Sequence, residues 1–214
     1  APSNIALVKY WGKRDGRLNL PAMGSLSVSL RNVETESQVT FLDEEGDDEI
    51  FLDGQPVNAS GVERVGRMLE VLRAKTGVQG RARIESSSNF PVGAGIASSA
   101  SGMAAVALAA SAAAGWKASR EEVSALARLG SGSACRSIFG GYVEWRKGVA
   151  PGGEDSHGVE VAPYEYWELD VLVAVVDSGP KKISSGKGMV QSARTSSFYP
   201  AWVAGNEPDL ESAR

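Results

Sequence analysis

The chain has 214 residues, 43% of them hydrophobic and 22% charged, with a net charge of −4, enough for one domain or for one domain and part of a second. That negative balance gives no global attraction to nucleic acid or to an anionic membrane, so any phosphate site must be local. A single cysteine, Cys135, rules out an internal disulfide, and with a single histidine, His157, zinc-hydrolase and histidine-based triad chemistry both drop out. Met103 to Ala114, the most apolar segment, falls short of the roughly 20 residues a membrane helix needs, and no secretory signal opens the chain. A reducing cytoplasm fits this composition.

Ala1 to Asp15 reads as an extended, core-forming segment, and residues before Ala1 are expected. Ser25-Leu26-Ser27-Val28-Ser29-Leu30 alternates and predicts a half-buried strand, with a second strand from Ser37 to Leu42. Asp43 to Glu49 is an acidic turn expected to be solvated. Ile50-Phe51-Leu52 is expected to pair back, followed by the turn signal Asp53-Gly54. Val62, Val65, Met68, Leu69 and Leu72 recur at three and four and predict an amphipathic helix to Lys75. Arg81 to Ser86 is a strand leading into Asn89-Phe90-Pro91-Val92-Gly93-Ala94-Gly95-Ile96-Ala97-Ser98-Ser99-Ala100, after which an alanine-rich helix runs from Ser101 to Ala114.

Ser119-Arg120-Glu121-Glu122 is a capping-box pattern opening a helix that ends near Leu129-Gly130. A small-residue stretch, Ser131 to Ser137, precedes an apparent strand from Ile138 to Trp145 bent at Gly140-Gly141. His157 sits in a polar loop and is expected to be solvated. Leu169 to Val176 reads as a buried strand, and a helix is expected from about Ser185. The class is mixed α+β, with a second region begun after residue 165 and incomplete at Arg214.

Three clusters could carry chemistry. In the glycine loop, Gly93 and Gly95 leave the backbone open, and a helix capped by Ser98 or Ser99 would aim its first amides at an anion such as phosphate. An ordinary capped helix has the same look. Lys9-Tyr10-Trp11-Gly12-Lys13-Arg14 places cations beside aromatics, although for this cluster alone a surface turn with a weak ion pair is the better account. In Ser131-Gly132-Ser133-Ala134-Cys135-Arg136-Ser137, small residues flank a lone arginine able to clamp a carboxylate or phosphate with two parallel bonds. A solvated helix-to-strand turn would tolerate these residues too. Together the clusters suggest phosphoryl transfer from a nucleotide to a small anionic acceptor. No Walker A ending is present.

Pro91 to Ala100 resembles the phosphate loop of the GHMP small-molecule kinase superfamily. Within it, Asn4-Ile5-Ala6…Lys9-Tyr10-Trp11-Gly12-Lys13-Arg14-Asp15 and Ser131 to Ser137 resemble the diphosphomevalonate decarboxylases, as do Asn19-Leu20-Pro21, Gly140 to Trp145 and Ser184-Ser185…Gly188-Met189. The resemblance implies a two-domain α+β fold. Residues 1–165 would form the N-terminal-type domain, with its phosphate loop at 89–101, and residues 166–214 would start the C-terminal one. It implies ATP and Mg²⁺ as cofactors, mevalonate 5-diphosphate as substrate, a homodimer and a cytoplasmic enzyme.

The implied reaction phosphorylates the tertiary 3-hydroxyl. Phosphate and carbon dioxide then leave, giving isopentenyl diphosphate. Carried over, Tyr10 and Lys13 would hold the diphosphate with Arg64 as a further contact, and Trp11, Gly12, Ser131, Gly132, Ser133, Ala134 and Cys135 would line the substrate pocket. Arg136 would grip the carboxylate, Ser185 would place the γ-phosphate or acceptor, and Lys9 and Asn4 would support the reaction centre. Pro91, Gly93, Ala94, Gly95, Ala97, Ser98 and Ser99 would bind ATP, the two serines reaching Mg²⁺ through it. The family's catalytic aspartate belongs to an Asp-Ala-Gly-Pro-Asn-like segment expected beyond Arg214; Asp177-Ser178-Gly179-Pro180 resembles it only superficially and is expected to end a strand. A phosphomevalonate decarboxylase or a mevalonate 3-kinase on the same scaffold, and a non-catalytic sensor of phosphate ligands, are the rival readings.

Overall fold

The computed structural model describes residues 1–90, 98–174 and 183–214. Pro91 to Ala97 of the predicted phosphate loop, and Asp177, lie outside the described residues. The first strands are β1 (Pro2–Val8), the short hairpin β2 (Lys13–Asp15) and β3 (Leu20–Pro21), and β4 (Ser25–Leu42). β5 (Glu49–Leu52) and β6 (Gln55–Pro56) precede helix α1 (Ala59–Thr76) and β7 (Arg81–Ser88). Helices α2 (Ser98–Ala113) and α3 (Arg120–Gly130) follow, then a 3₁₀ turn (Gly132–Ile138), β8 (Tyr142–Trp145) and β9 (Gly158–Ala162). The chain continues through α4 (Ser185–Thr195) and α5 (Tyr199–Ala213).

One sheet of order β6-β5-β7-β4-β8-β9 forms the frame, with β1 added on β4. The two strands expected at 25–30 and 37–42 are one. No glycine or proline separates them, and Asn32 takes a left-handed φ of 62°, which asparagine tolerates, bending the strand without ending it. The first half of β4 pairs with β1 and β8, and the second half with β7. Its first six residues are buried on both faces, not half-buried as alternation suggested. β5 does not pair back on β4. β7 lies between them and runs parallel to β5, while the turn at Asp53-Gly54 (φ 50° and 74°) joins β5 to β6.

The helices form where the sequence marks them. Asn58 caps α1 and Gly77 ends it in the left-handed conformation. Ser119 and Glu122 make the capping box of α3. α2 is apolar nearly all round and is buried accordingly. Its alanines let it lie close to the main core, where Val65, Met68, Leu69 and Leu72 of α1 meet Ile84, Met103, Leu126 and Val143. The acidic turn is exposed over residues 43–47, as expected, and partly buried at Asp48 and Glu49. Asp48 accepts from Arg73 at 2.7 Å and from the Ala82 amide at 2.7 Å, and Glu44 pairs with Arg81 at 2.8 Å. The His157 loop is likewise built in, since Asp155 accepts from the amides of Val149 and Ala150, and Ser156 is fully buried.

α4 and α5 pack on the first part of the chain through Met189 and Leu210, both buried. A Cβ on Gly24 would stand 2.6 Å from the Leu210 side chain, so that glycine seats α5. The buried strand expected at Leu169–Val176 is absent over its described part. Residues 169–174 are irregular, and Leu172 is 96% exposed. A strand apolar on both faces needs layers on both sides, and none of the described elements pairs with it. Among the described residues no helix is long and apolar enough to cross a membrane.

Candidate active site

The site is built where the end of α3, the following 3₁₀ turn, β1 and the first half of β4 meet. Ser25, Ser27 and Ser29 lie two apart and therefore share one face of β4. All three bond to the turn. The Arg136 guanidinium is 2% exposed. Its Nε donates to Ser27 Oγ at 2.9 Å, one Nη to Ser25 Oγ at 2.5 Å, and the other to Asn4 Oδ1 at 2.9 Å. Ser29 Oγ donates to the Phe139 carbonyl at the turn's end. Asn4, on β1, turns its amide nitrogen the other way, donating to Ser137 Oγ at 2.7 Å and to the Ser133 carbonyl at 3.2 Å. This pattern fixes the asparagine's orientation.

Burial lowers the Arg136 pKa, but a guanidinium starts so high that it stays charged. None of its three acceptors is an acid. Of its five N–H groups, about two remain among the described residues, one on each Nη. A buried cation without a counter-ion is costly, and a carboxylate has the shape to use both remaining donors at once. Tyr10, beside this network, is 7% exposed and rests edge-on against Trp145 with ring centroids 4.7 Å apart. Burial pushes its hydroxyl up to about 12, against the lowering effect of the Arg136 charge. It is a neutral donor at ordinary pH. Gly132 makes the close approach possible, because a Cβ there would stand 2.8 Å from both the Tyr10 Oη and the Trp145 ring.

A second group lies at the same, C-terminal end of α3. Lys13 Nζ donates to Asn19 Oδ1 at 2.5 Å. Asn19 in turn donates to the carbonyls of Arg128 and Leu129, the last turn before Ser131. The β2–β3 hairpin is thereby fixed to the segment that carries Arg136. Burial lowers the Lys13 pKa, as do the charges of Arg67 and Arg64 on α1. Arg64 also lines a cavity of about 350 Å³ whose walls include Phe51, Val57 and Met103, with Ser98 and Ser99 at the start of α2. The cavity offers an apolar wall and two hydroxyls on a helix's first turn.

The structure thus gathers Asn4, Tyr10, Gly132, Ser133 and Arg136 in one network, and Lys13 and Arg64 in a neighbouring one. Ser131 ends α3 and opens the 3₁₀ turn. Ala134 belongs to the main core, and Cys135 to a smaller one with Tyr10, Met23, Trp145 and Met189. Burial pushes the Cys135 thiol up to about 12, so it packs and does not react. Trp11 and Gly12 face the C-terminal helices. The Trp11 ring lies 3.4 Å from where a Gly188 Cβ would be, and at Gly12 (φ 121°) a Cβ would collide with Tyr199. Lys9, just after β1, is exposed. Ser185, exposed at the first turn of α4, is one turn of about 5.4 Å from Met189, which packs beside Tyr10. Pro91, Gly93, Ala94, Gly95 and Ala97 lie outside the described residues. The sequence reading missed Ser25, Ser27 and Asn19. Alternating serines on a strand otherwise made of leucine and valine are the signal that could have found the first two.

Three comparisons bear on this arrangement. The family model for the diphosphomevalonate decarboxylase-like N-terminal domain matches residues 1–158. A diphosphomevalonate decarboxylase of Eremothecium gossypii is 39% identical over 219 residues, covering 95% of this chain and 55% of that protein. The crystal structure of mevalonate diphosphate decarboxylase from Staphylococcus aureus matches with TM-score 0.85 at 38% identity, over 99% of this chain and 63% of that one. The complex of MDDEF with MVAPP, AMPPCP and magnesium matches with TM-score 0.84 at 38% identity, over 99% of this chain and 64% of that one. The chain therefore spans little more than half the length of the curated relative and under two thirds of the solved chains.

Proposed function

The chain belongs to the diphosphomevalonate decarboxylase family, and on that premise we propose that the protein catalyses the ATP-dependent decarboxylation of mevalonate 5-diphosphate. The products are isopentenyl diphosphate, ADP, phosphate and carbon dioxide. The observation that carries this reading is Arg136, a buried cation held by three neutral acceptors with a pair of donors to spare. Its role is to hold the substrate carboxylate so that the breaking carbon–carbon bond is aligned with the departing 3-phosphate. Asn4 fixes one edge of the guanidinium, and Ser25 and Ser27 fix the other two nitrogens. Tyr10, kept neutral by burial, donates to the substrate's phosphate end with Lys13 and Arg64. Ser131 and Ser133 border the space between.

The residues around the 350 Å³ cavity fit ATP, with Phe51, Val57 and Met103 against the base and Ser98 and Ser99 toward the phosphates and their magnesium. When bound, ATP supplies the phosphoryl group that turns a tertiary hydroxyl into a leaving group. Ser185, one turn from the Tyr10 cluster, would face the acceptor. Residues 1–165 act as the N-terminal domain, and residues 166–214 begin the second, in a cytoplasmic homodimer.

The test is to supply the full-length protein with ATP, magnesium and mevalonate 5-diphosphate, following carbon dioxide and ADP together. One carbon dioxide per ADP is expected. ADP without carbon dioxide would make it a 3-kinase. Turnover only with mevalonate 5-phosphate would make it a monophosphate decarboxylase, and no turnover with either would leave a sensor.

A further inference from the structure

We propose that Arg67 is a third cation of the substrate's phosphate-binding end, one that selects a diphosphate terminus over a single phosphate. This rests on the decarboxylase reading above and adds a residue to its substrate site. Arg64 and Arg67 are three apart on α1 and so lie on the same side of the helix. Both are partly buried. Arg67's side chain is 30% exposed, yet its Nε is buried and has no hydrogen-bond partner among the described residues. An Nη reaches only Glu63, at 3.5 Å, and that glutamate's side chain is 71% exposed. Such a contact contributes little.

Its neighbours are no better neutralised. Arg64 Nε donates to the Ser60 carbonyl at 3.3 Å, and Lys13 to the neutral amide of Asn19. Burial is the main cause that lowers the pKa of Lys13 and of Arg64; the charges of Arg67 and Arg64 add to it at Lys13, and that of Arg67 adds to it at Arg64. Three positive groups therefore repel one another, and the carboxylate beside them, Glu63, is largely exposed to solvent.

Three arginines of the chain show what a close acid looks like. Arg73 meets Asp48 at 2.7 Å, Arg81 meets Glu44 at 2.8 Å, and Arg214 meets Glu144 at 2.8 Å. Arg67 has no carboxylate that near among the described residues. A buried unpaired donor and a like-charge cluster are both unfavourable until a polyanion joins them. A single phosphate ester brings roughly −1.5 to −2 at pH 7, which two cations balance. A diphosphate brings about one charge more, and Arg67 supplies its partner.

The experiment uses Arg67→Gln and Arg67→Lys in the full-length protein. The KM for mevalonate 5-diphosphate is measured beside the KM for ATP, and inorganic diphosphate is compared with inorganic phosphate as a competitive ligand. For Arg67→Gln the KM for the substrate should rise about tenfold, with kcat within about twofold and the KM for ATP unchanged, as expected for lost ground-state binding. Inorganic diphosphate should weaken about tenfold and phosphate less than about threefold. Arg67→Lys should restore most of the loss. An unchanged KM for the substrate would overturn the inference. So would equal weakening of the two inorganic anions, or a KM for ATP that rises in step, which would put Arg67 at the nucleotide. If the wild-type protein released no carbon dioxide while diphosphate binding still depended on Arg67, the decarboxylase reading would fail and the inference would stand. Carbon dioxide release that is indifferent to Arg67 even at substrate concentrations well below KM would sink the inference alone.

Discussion

Arg128 and Arg136 stand eight residues apart, are 3% and 2% exposed, and have no acid in hydrogen-bond contact among the described residues, yet their acceptors differ in kind. Arg128 donates to main-chain carbonyls, those of Leu18 at 3.1 Å, Gly153 at 2.6 Å and Ser156. It ties the β2–β3 hairpin and the 150s loop to α3, and loops left without it would bury unsatisfied carbonyls. Arg136 donates only to side chains, on β1 and β4, and keeps two N–H groups back. A buried arginine bound to backbone is a fastener. One bound to hydroxyls and an amide is being aimed.

That contrast can be broken by mutation. Arg136→Gln should lower carbon dioxide release about 10²–10³-fold, the usual loss when a preorganised group at the reaction centre is removed, with ATP affinity and thermal stability nearly unchanged. Loss of ATP binding instead would remove its assignment as the carboxylate clamp. Arg128→Ala should do the reverse, costing about 3 kcal/mol of stability as read by denaturant unfolding. At temperatures where the protein is folded, its substrate affinity should be close to normal.

Two further tests probe the surroundings of Arg136. Tyr10 and Cys135 both have folded-state pKa values raised to about 12 by burial, so the folded state favours their protonated forms. The unfolded chain releases these protons first, near pH 9 for the thiol and 10 for the phenol. Stability is therefore whole below pH 9 and falls as pH rises toward 12, by about 1.4 kcal/mol per unit for each group. Tyr10→Phe should remove the phenol's share in a pH series of unfolding curves. An unaltered slope would mean that Tyr10 ionises freely. The smallest effect is expected for Ser27→Ala, about fivefold in kcat/KM, since one neutral bond to a charged group is lost while two remain. The carbon dioxide formed per ADP should fall with it, which a purely structural defect would not produce.

Much of this was legible in the chain because it is local. The capping box at Ser119–Glu122, the 3.6-residue spacing of Val65, Met68, Leu69 and Leu72, and the small residues around Arg136 each act within a few positions. What was hidden depends on residues far apart in sequence. The parallel insertion of β7 beside β5 is set by which edges are left to pair, and no local pattern records it. The fusion of two predicted strands into β4 rests on Asn32 accepting a left-handed bend, a preference too mild to predict. Ser25 and Ser27 looked like the solvent face of an alternating strand, and only the guanidinium from 109 residues away makes that face an interior. Leu169 to Ala174 show the converse, since a strand-like sequence stays irregular without neighbouring strands. Motif resemblance placed Trp11 and Gly12 in the substrate pocket, and no local pattern records that they also lie beside Gly188 and Tyr199.

The central claim is that the Arg136 guanidinium is aimed at the substrate's carboxylate. A thermodynamic cycle on the full-length protein tests it most directly, using mevalonate 5-diphosphate and its analogue with a neutral carboxamide in place of the carboxylate, each bound to wild type and to Arg136→Gln. The account predicts that the substitution weakens the carboxylate ligand at least about tenfold and the carboxamide hardly at all, a coupling of about 1.4 kcal/mol or more. Equal weakening of both ligands would contradict it and leave Arg136 as a second fastener.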